Sequence, residues 1–305
     1  MKPRRTDLAM ESYDGADDAS LPGIHVGHWD AADIRMTEIV ISDPQTAEQL
    51  GKPCGTYLTM ECGPLRERDV EVRLAIASLL GEELGRMLPR DITGPVLVIG
   101  LGNRAITPDS IGPLVVDRTL VTRHLISSDF GDYPLCSVCA ISPGVLGITG
   151  IETMEMAQSL VQTLKPGVIL CVDSLAARST SRIGSTIQLA DTGIQPGSGV
   201  GNHRRPLTKE TLGVDVIAVG MPTVIYAATL ARDAFAVLAG QQDGEDDPTL
   251  EGLEQDLLNE QIGEMIVTPR EIDAIVQDAA GIIASGINHA LLPQLSDAEI
   301  SAMMD

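Results

Sequence analysis

Two aspartates stand where an enzyme most easily builds chemistry. A continuous apolar run ending in a turn reads as a strand buried on both faces of a parallel sheet. In such sheets, ligands bind beyond the carboxyl ends of the strands. The run Val96–Leu101 is followed by Gly102-Asn103-Arg104-Ala105-Ile106-Thr107-Pro108-Asp109, and Val168–Val172 by Asp173-Ser174. A third run, Val216–Val219, leads into Gly220-Met221-Pro222-Thr223. Two of the three loops therefore bring a carboxylate to one rim. Two carboxyls held together cannot both ionise cheaply, so one keeps its proton. The ionised member can deprotonate water while the protonated one donates to a carbonyl oxygen, which is amide hydrolysis without metal or covalent nucleophile. Blander roles fit the same residues: Asp109 as a helix cap after Pro108, and Asp173 as a strand-end cap of the next helix. Neither conflicts with catalysis.

Other chemistries fit less well. Gly100-Leu101-Gly102 follows a strand, but position 105 is Ala, so the third glycine of a dinucleotide loop is missing. Asp191-Thr192-Gly193 matches the signature of pepsin-like and retroviral aspartic proteases, yet it occurs once and in an α/β setting. Gly193–Gly201 lacks the lysine of a phosphate loop and reads as a mobile border of the cleft. Cys136 and Cys139 have C-x-x-C spacing but lie within an apolar run, which marks them as core residues, and one such pair cannot make a four-ligand zinc site. No H-E-x-x-H and no G-x-S-x-G are present. His203, beside the Gly-rich loop, is the one histidine placed to join Asp109 and Asp173 around an ion. The expectation is no cofactor and no metal.

The elements that must position these residues follow from periodicity. Thr37–Ser42 and Thr56–Glu61 read as strands, and Asp69–Met87 as an amphipathic helix. Leu135–Ile141, Gly167–Val172 and Val214–Val219 join the Gly94–Asn103 run as central strands. Ile151–Leu164 reads as a helix, as does Pro222–Leu238 with Pro222 at its first position. Thr268 is the expected cap of a last helix reaching Ala290, with Pro269 and Glu271 in its first turn. Alternating strands and helices predict an α/β fold: a twisted, mostly parallel sheet with helices on both faces. The first thirty residues are mixed and polar and read as a loose leader. Between Asp233 and Pro269 there is no Lys or Arg, and acidic residues recur, so about 240–264 reads as a solvated acidic loop or insertion.

Composition narrows the class. The chain has 305 residues, 44% hydrophobic, with 21 basic against 43 acidic residues and a formal net charge of −22. Phosphate backbones repel such a surface, so direct nucleic-acid binding is not expected. Aromatic residues are only 2%, which removes the stacking platforms of single-strand binders. No apolar stretch reaches the length of a membrane span and the amino terminus lacks a signal-peptide core, so no membrane association is expected. Five scattered cysteines suit a reducing cytoplasm.

Several runs together resemble the germination protease family of spore-forming Firmicutes. They are Arg5-Thr-Asp-Leu-Ala-Met-Glu11, Gly55-Thr-Tyr-Leu-Thr59, Gly100-Leu-Gly-Asn103 with Thr107-Pro-Asp-Ser-Ile-Gly-Pro113, Thr122-Arg-His-Leu125, Pro143–Thr153, Asp173-Ser-Leu-Ala-Ala-Arg178 and Thr186–Arg205. The resemblance implies an atypical aspartic endopeptidase similar in fold to the hydrogenase maturation proteases. It implies catalytic aspartates at Asp109 and Asp173; Asn103, Thr107, Gly199 and His203, nearby in the loops, are expected to orient substrate or water. It implies that small acid-soluble spore proteins are the substrates, degraded at germination. It also implies a zymogen cut between Asp7 and Leu8, so that residues 1–7 are a short propeptide and 8–305 one peptidase domain. A homotetramer in the forespore or spore core is implied as well. The related hydrogenase proteases hold nickel at equivalent positions, which leaves a metal-assisted processing peptidase as the alternative.

Overall fold

The computed structural model describes residues 6–13, 21–63, 65, 69–125, 135–197, 204–238, 252, 256 and 265–304. Nine strands form one sheet: β1 (Ile24–Ala31), β2 (Ile34–Ile41), β3 (Gly55–Glu61), β4 (Val96–Gly100), β5 (Val138–Ile141), β6 (Val168–Ala176), β7 (Thr186–Ala190), β8 (Val216–Tyr226) and β9 (Ile266–Val267). Their order is β1-β2-β3-β7-β8-β6-β4-β5, with β9 on the far end of β8. The α/β reading is borne out. Parallel pairing covers β8-β6-β4-β5, and the other half is antiparallel. Connection length separates the halves. Chain segments containing helices join β4, β5 and β6, which permits parallel neighbours, whereas the two residues Ala32 and Asp33, both at positive φ, join β1 to β2 and permit only a hairpin.

Helices cover both faces. On one face the long helices α3 (Val70–Met87) and α9 (Ile272–Leu291; helices numbered in chain order) pack with α4 (Ile111–Asp117) over Val96, Val98, Leu170, Val172, Ile217 and Val219. On the other, α6 (Thr153–Leu164) and α7 (Lys209–Leu212) cover Leu97, Ile99, Ile169 and Cys171. Strand alternation places Asp173 on this second face, in line with Ile169 and Cys171.

Three sequence expectations change. The amino terminus is not loose where it is described: α1 (Ala9–Tyr13) and Leu8 are buried against Ile39, Ile41, Tyr57 and Leu175, and β1 lies within the first thirty-one residues. Pro222 lies inside β8 and the next helix, α8, spans Ala227–Leu238. The β-branched residues Thr223, Val224 and Ile225 favour extension there, and the register shift at Leu175/Ala176 absorbs the proline. Thr268 does not cap α9, which starts at Ile272; its hydroxyl donates to Thr223 O at 2.8 Å instead. Asp191-Thr192-Gly193 is a turn after β7 in which Asp191 Oδ1 accepts from Thr56 N at 2.7 Å. The expected acidic loop lies outside the described residues apart from Gly252 and Asp256. All five cysteines are free thiols, and burial pushes those of Cys136 and Cys139 upward. Among the described residues no helix is long and apolar enough to cross a membrane.

Candidate active site

Strand β4 ends at Gly100, and the chain turns sharply to reach Asp109 at the end of a 3₁₀ turn, Thr107–Asp109. The turn folds back so tightly that only glycine fits beneath it. Gly102 has φ +109°, and a Cβ there would lie 2.1 Å from Asp109 O. A Cβ on Gly100 would lie 2.1 Å from Gly112 O. These glycines are therefore required for close backbone approach. The backbone N–H of Asn103 donates to both Asp109 O at 2.8 Å and Asp109 Oδ2 at 2.9 Å. Thr223 Oγ1 donates to Pro108 O at 2.7 Å, tying the turn to β8. Helix α4 has Ser110 at its cap position, so the Asp109 carboxylate is not used for capping.

Asp173 occupies β6 just past the last rung shared with β4, where Gly100 pairs with Val172. It is 5% exposed, and Ser174 N donates to its Oδ1 at 2.9 Å. The strand continues to Ala176, so Asp173 caps no helix. Both aspartates line one cavity of about 460 Å³, whose wall includes Asp7, Ser174, Pro108, Arg204, Thr223 and Thr268. The Ser174 hydroxyl is buried and has no hydrogen-bond partner among the described residues.

Electrostatics separates the two carboxyls. Burial raises Asp109 to about 6, against the Asn103 N–H and the Arg204 charge, which lower it. Burial also pushes Asp173 well above the ordinary carboxylate range; the charges of Asp109 and then Asp7 push it further, and the Ser174 N–H and Arg204 only partly offset them. Burial and the neighbouring carboxylates thus favour the protonated form of Asp173, while Asp109, at about 6, ionises below neutral pH. This arrangement can activate water and protonate a carbonyl in one place.

The remaining sequence candidates divide. Asn103 acts through its main chain; its side chain accepts from Ala105 N at 3.0 Å. Thr107 contributes its carbonyl to Ser110, and neither Asn103 nor Thr107 is in the described cavity wall. Gly199 and His203 lie outside the described residues. Asp7 reaches the cavity and pairs with the end of β6: its N–H donates to Ala176 O at 2.9 Å, and its Oδ2 accepts from Ala176 N at 2.8 Å. Leu8 is fully buried beside it. Arg204, the cation next to the pair, had one sequence signal, its place at the end of the Gly-rich loop. Among the described residues no three His, Cys, Asp or Glu side chains form a group that could hold a metal ion.

Comparison with known proteins supplies the family. The curated germination proteases of Clostridium acetobutylicum, Caldanaerobacter subterraneus and Bacillus cereus are 41%, 38% and 36% identical over 323, 317 and 349 residues. The first two alignments cover 99% and 98% of both chains, and the third covers 95% of this chain and 94% of the relative. A solved [NiFe] hydrogenase maturation protease of Thermococcus kodakarensis is 18% identical with a TM-score of 0.32, covering 68% of this chain and 99% of that one, a likeness too small to carry an argument. The germination protease family profile matches residues 5–253. On that match and those near-full-length identities, the chain belongs to the germination protease family and is a protease.

Proposed function

We propose that this protein is an atypical aspartic endopeptidase that starts the degradation of small acid-soluble spore proteins, and that it is made as a zymogen that removes Met1–Asp7. The observation carrying the mechanism is the pair of carboxyls on one cavity wall, half-buried Asp109 raised to about 6 and buried Asp173 pushed well above the ordinary carboxylate range. Asp109 is the base and Asp173 the acid. A water between them loses a proton to Asp109 as its oxygen attacks the carbonyl carbon, while Asp173 gives its proton to the carbonyl oxygen. The tetrahedral diol collapses when Asp109 returns a proton to the departing nitrogen and Asp173 recovers one from the diol. The C–N bond breaks, one water is consumed and both carboxyls end as they began. Arg204 steadies the shared negative charge. The zymogen reading is supported by Asp7, which lines the same cavity as the two aspartates in the uncut chain. The homotetramer and the spore core location follow from the family resemblance.

General acid–base help is worth about 10²–10⁴-fold. Asp109→Asn and Asp173→Asn are therefore each expected to lower turnover of a purified small acid-soluble spore protein at least ~100-fold while the protein stays folded by circular dichroism. Wild-type turnover in either variant removes the dyad.

A further inference from the structure

Gln188 lies in the middle of β7, 7% exposed, on the face that carries Tyr57, Leu175 and Ala190. A carboxamide buried on an apolar face requires partners. Both come from the amino-terminal segment. Gln188 Nε2 donates to Asp7 O at 3.1 Å, and Gln188 Oε1 accepts from Ala9 N at 2.7 Å. One contact is to the carbonyl oxygen of the Asp7–Leu8 peptide bond itself and the other to the next amide along, that of Ala9.

Lys52 also reaches this segment. It follows Gly51, whose φ of 64° ends α2 (Pro44–Leu50), and Lys52 N donates to Ala47 O at 3.0 Å. That anchored turn aims Nζ at Thr6 O, 2.8 Å away. Burial lowers the Lys52 ammonium, and the carboxylates of Asp7 and then Glu11 raise it. The Asp7 carboxylate thus meets an ammonium field together with the Ala176 N–H. Lys52, Gln188 and Asp7 line a second cavity of about 270 Å³. Asp7 and Leu175 are the described residues common to it and to the cavity of Asp109 and Asp173.

We infer that Lys52 and Gln188 form the subsite that reads the chain around the cut: Gln188 aligns the main chain on both sides of the Asp7–Leu8 bond, and Lys52 selects a carboxylate at position 7. The inference rests on the reading that this bond is the one cleaved.

The test follows release of Met1–Asp7 from the full-length chain by mass spectrometry. Gln188→Leu is expected to slow release about tenfold or more, because a misaligned bond no longer meets the dyad. Asp7→Asn slows the wild-type background, and in Lys52→Met the Asp-over-Asn ratio falls to about one, as expected when the opposing charge is gone. Lys52→Arg retains the ratio, which a merely structural role for the side chain does not predict. If Gln188→Leu fails to fold, Gln188→Glu keeps the size, removes the donor to Asp7 O and is read instead. Wild-type release in a folded Gln188 variant, or an unchanged Asp-over-Asn ratio in Lys52→Met, overturns the inference alone. An uncut wild-type chain, or release that survives Asp109→Asn, removes the cleavage reading and the inference with it.

Discussion

Replacing Asp109 by Asn should abolish proteolysis and at the same time stabilise the protein, but only above the pH at which the aspartate ionises. In the folded chain Asp109 is raised from 3.8 to about 6 by burial. Below the ordinary value the group is protonated in both folded and unfolded chains, and it contributes nothing to pH dependence. Between about 4 and 6 the unfolded chain releases the proton while the folded one retains it, so folding stability falls as pH rises. Above 6 the penalty is constant. A shift of roughly two units corresponds to about 3 kcal/mol, and the partial solvent access of the side chain reduces it to ~2 kcal/mol. Asn fills the same space, carries no charge and still accepts from the Asn103 N–H. The variant should therefore unfold about 4 °C higher than wild type at pH 8, at ~2 °C per kcal/mol for a chain of this size, and at nearly the same temperature at pH 4. Calorimetry at pH 4, 6 and 8 measures this, on proteins checked by mass spectrometry to share one amino terminus. A gain equal at pH 4 and pH 8, or a loss at pH 8, refutes the burial argument.

Three further outcomes follow from the same geometry. With Asp109 as base, kcat/KM should rise with pH through about 6, and Arg204→Ala, which removes a charge that lowers this carboxyl, should move that rise to higher pH; a pH–rate profile identical to wild type removes Arg204 from the site. Gly102→Ala forces a Cβ to 2.1 Å from Asp109 O at a φ of +109°, so urea denaturation should show a loss of at least ~2 kcal/mol with severe loss of turnover; wild-type values for both would mean the turn need not hold that close approach. Leu8→Ala should cost about 2–5 kcal/mol in the leaderless protein, because Leu8 is fully buried among Ile39, Ile41 and Tyr57; an unchanged denaturation midpoint would show that the new terminus leaves the core.

Much of the scaffold was legible because buried parallel strands announce themselves. The runs around Val98 and Leu170 have no polar interruption, and both read as central strands. Asp173 follows its run directly and Asp109 lies in the loop that follows the other, so their arrival at one rim followed from the strand-end rule. Helix α3 was equally plain, and the structure adds Asp69 as its cap, the side chain accepting from Val72 N. Pro222 misled because its local preference for a helix start competes with β8, whose extension is settled by β6 on one side and β7 on the other. Thr268 misled for a similar reason: its hydroxyl found a tertiary acceptor in Thr223 before it could cap a helix.

By itself, then, the chain's local chemistry determined the strands, most helices and the positions of both carboxylates, since hydrophobic periodicity and turn residues act over a few neighbours. Tertiary structure alone decided which polar residues meet the amino-terminal segment beside the two aspartates. Gln188 reaches Asp7 and Ala9 across 181 and 179 positions, and Lys52 reaches Thr6 across 46. No period or spacing encodes such contacts. They exist because closing the sheet buries those groups together, and a buried donor or acceptor must find a partner there.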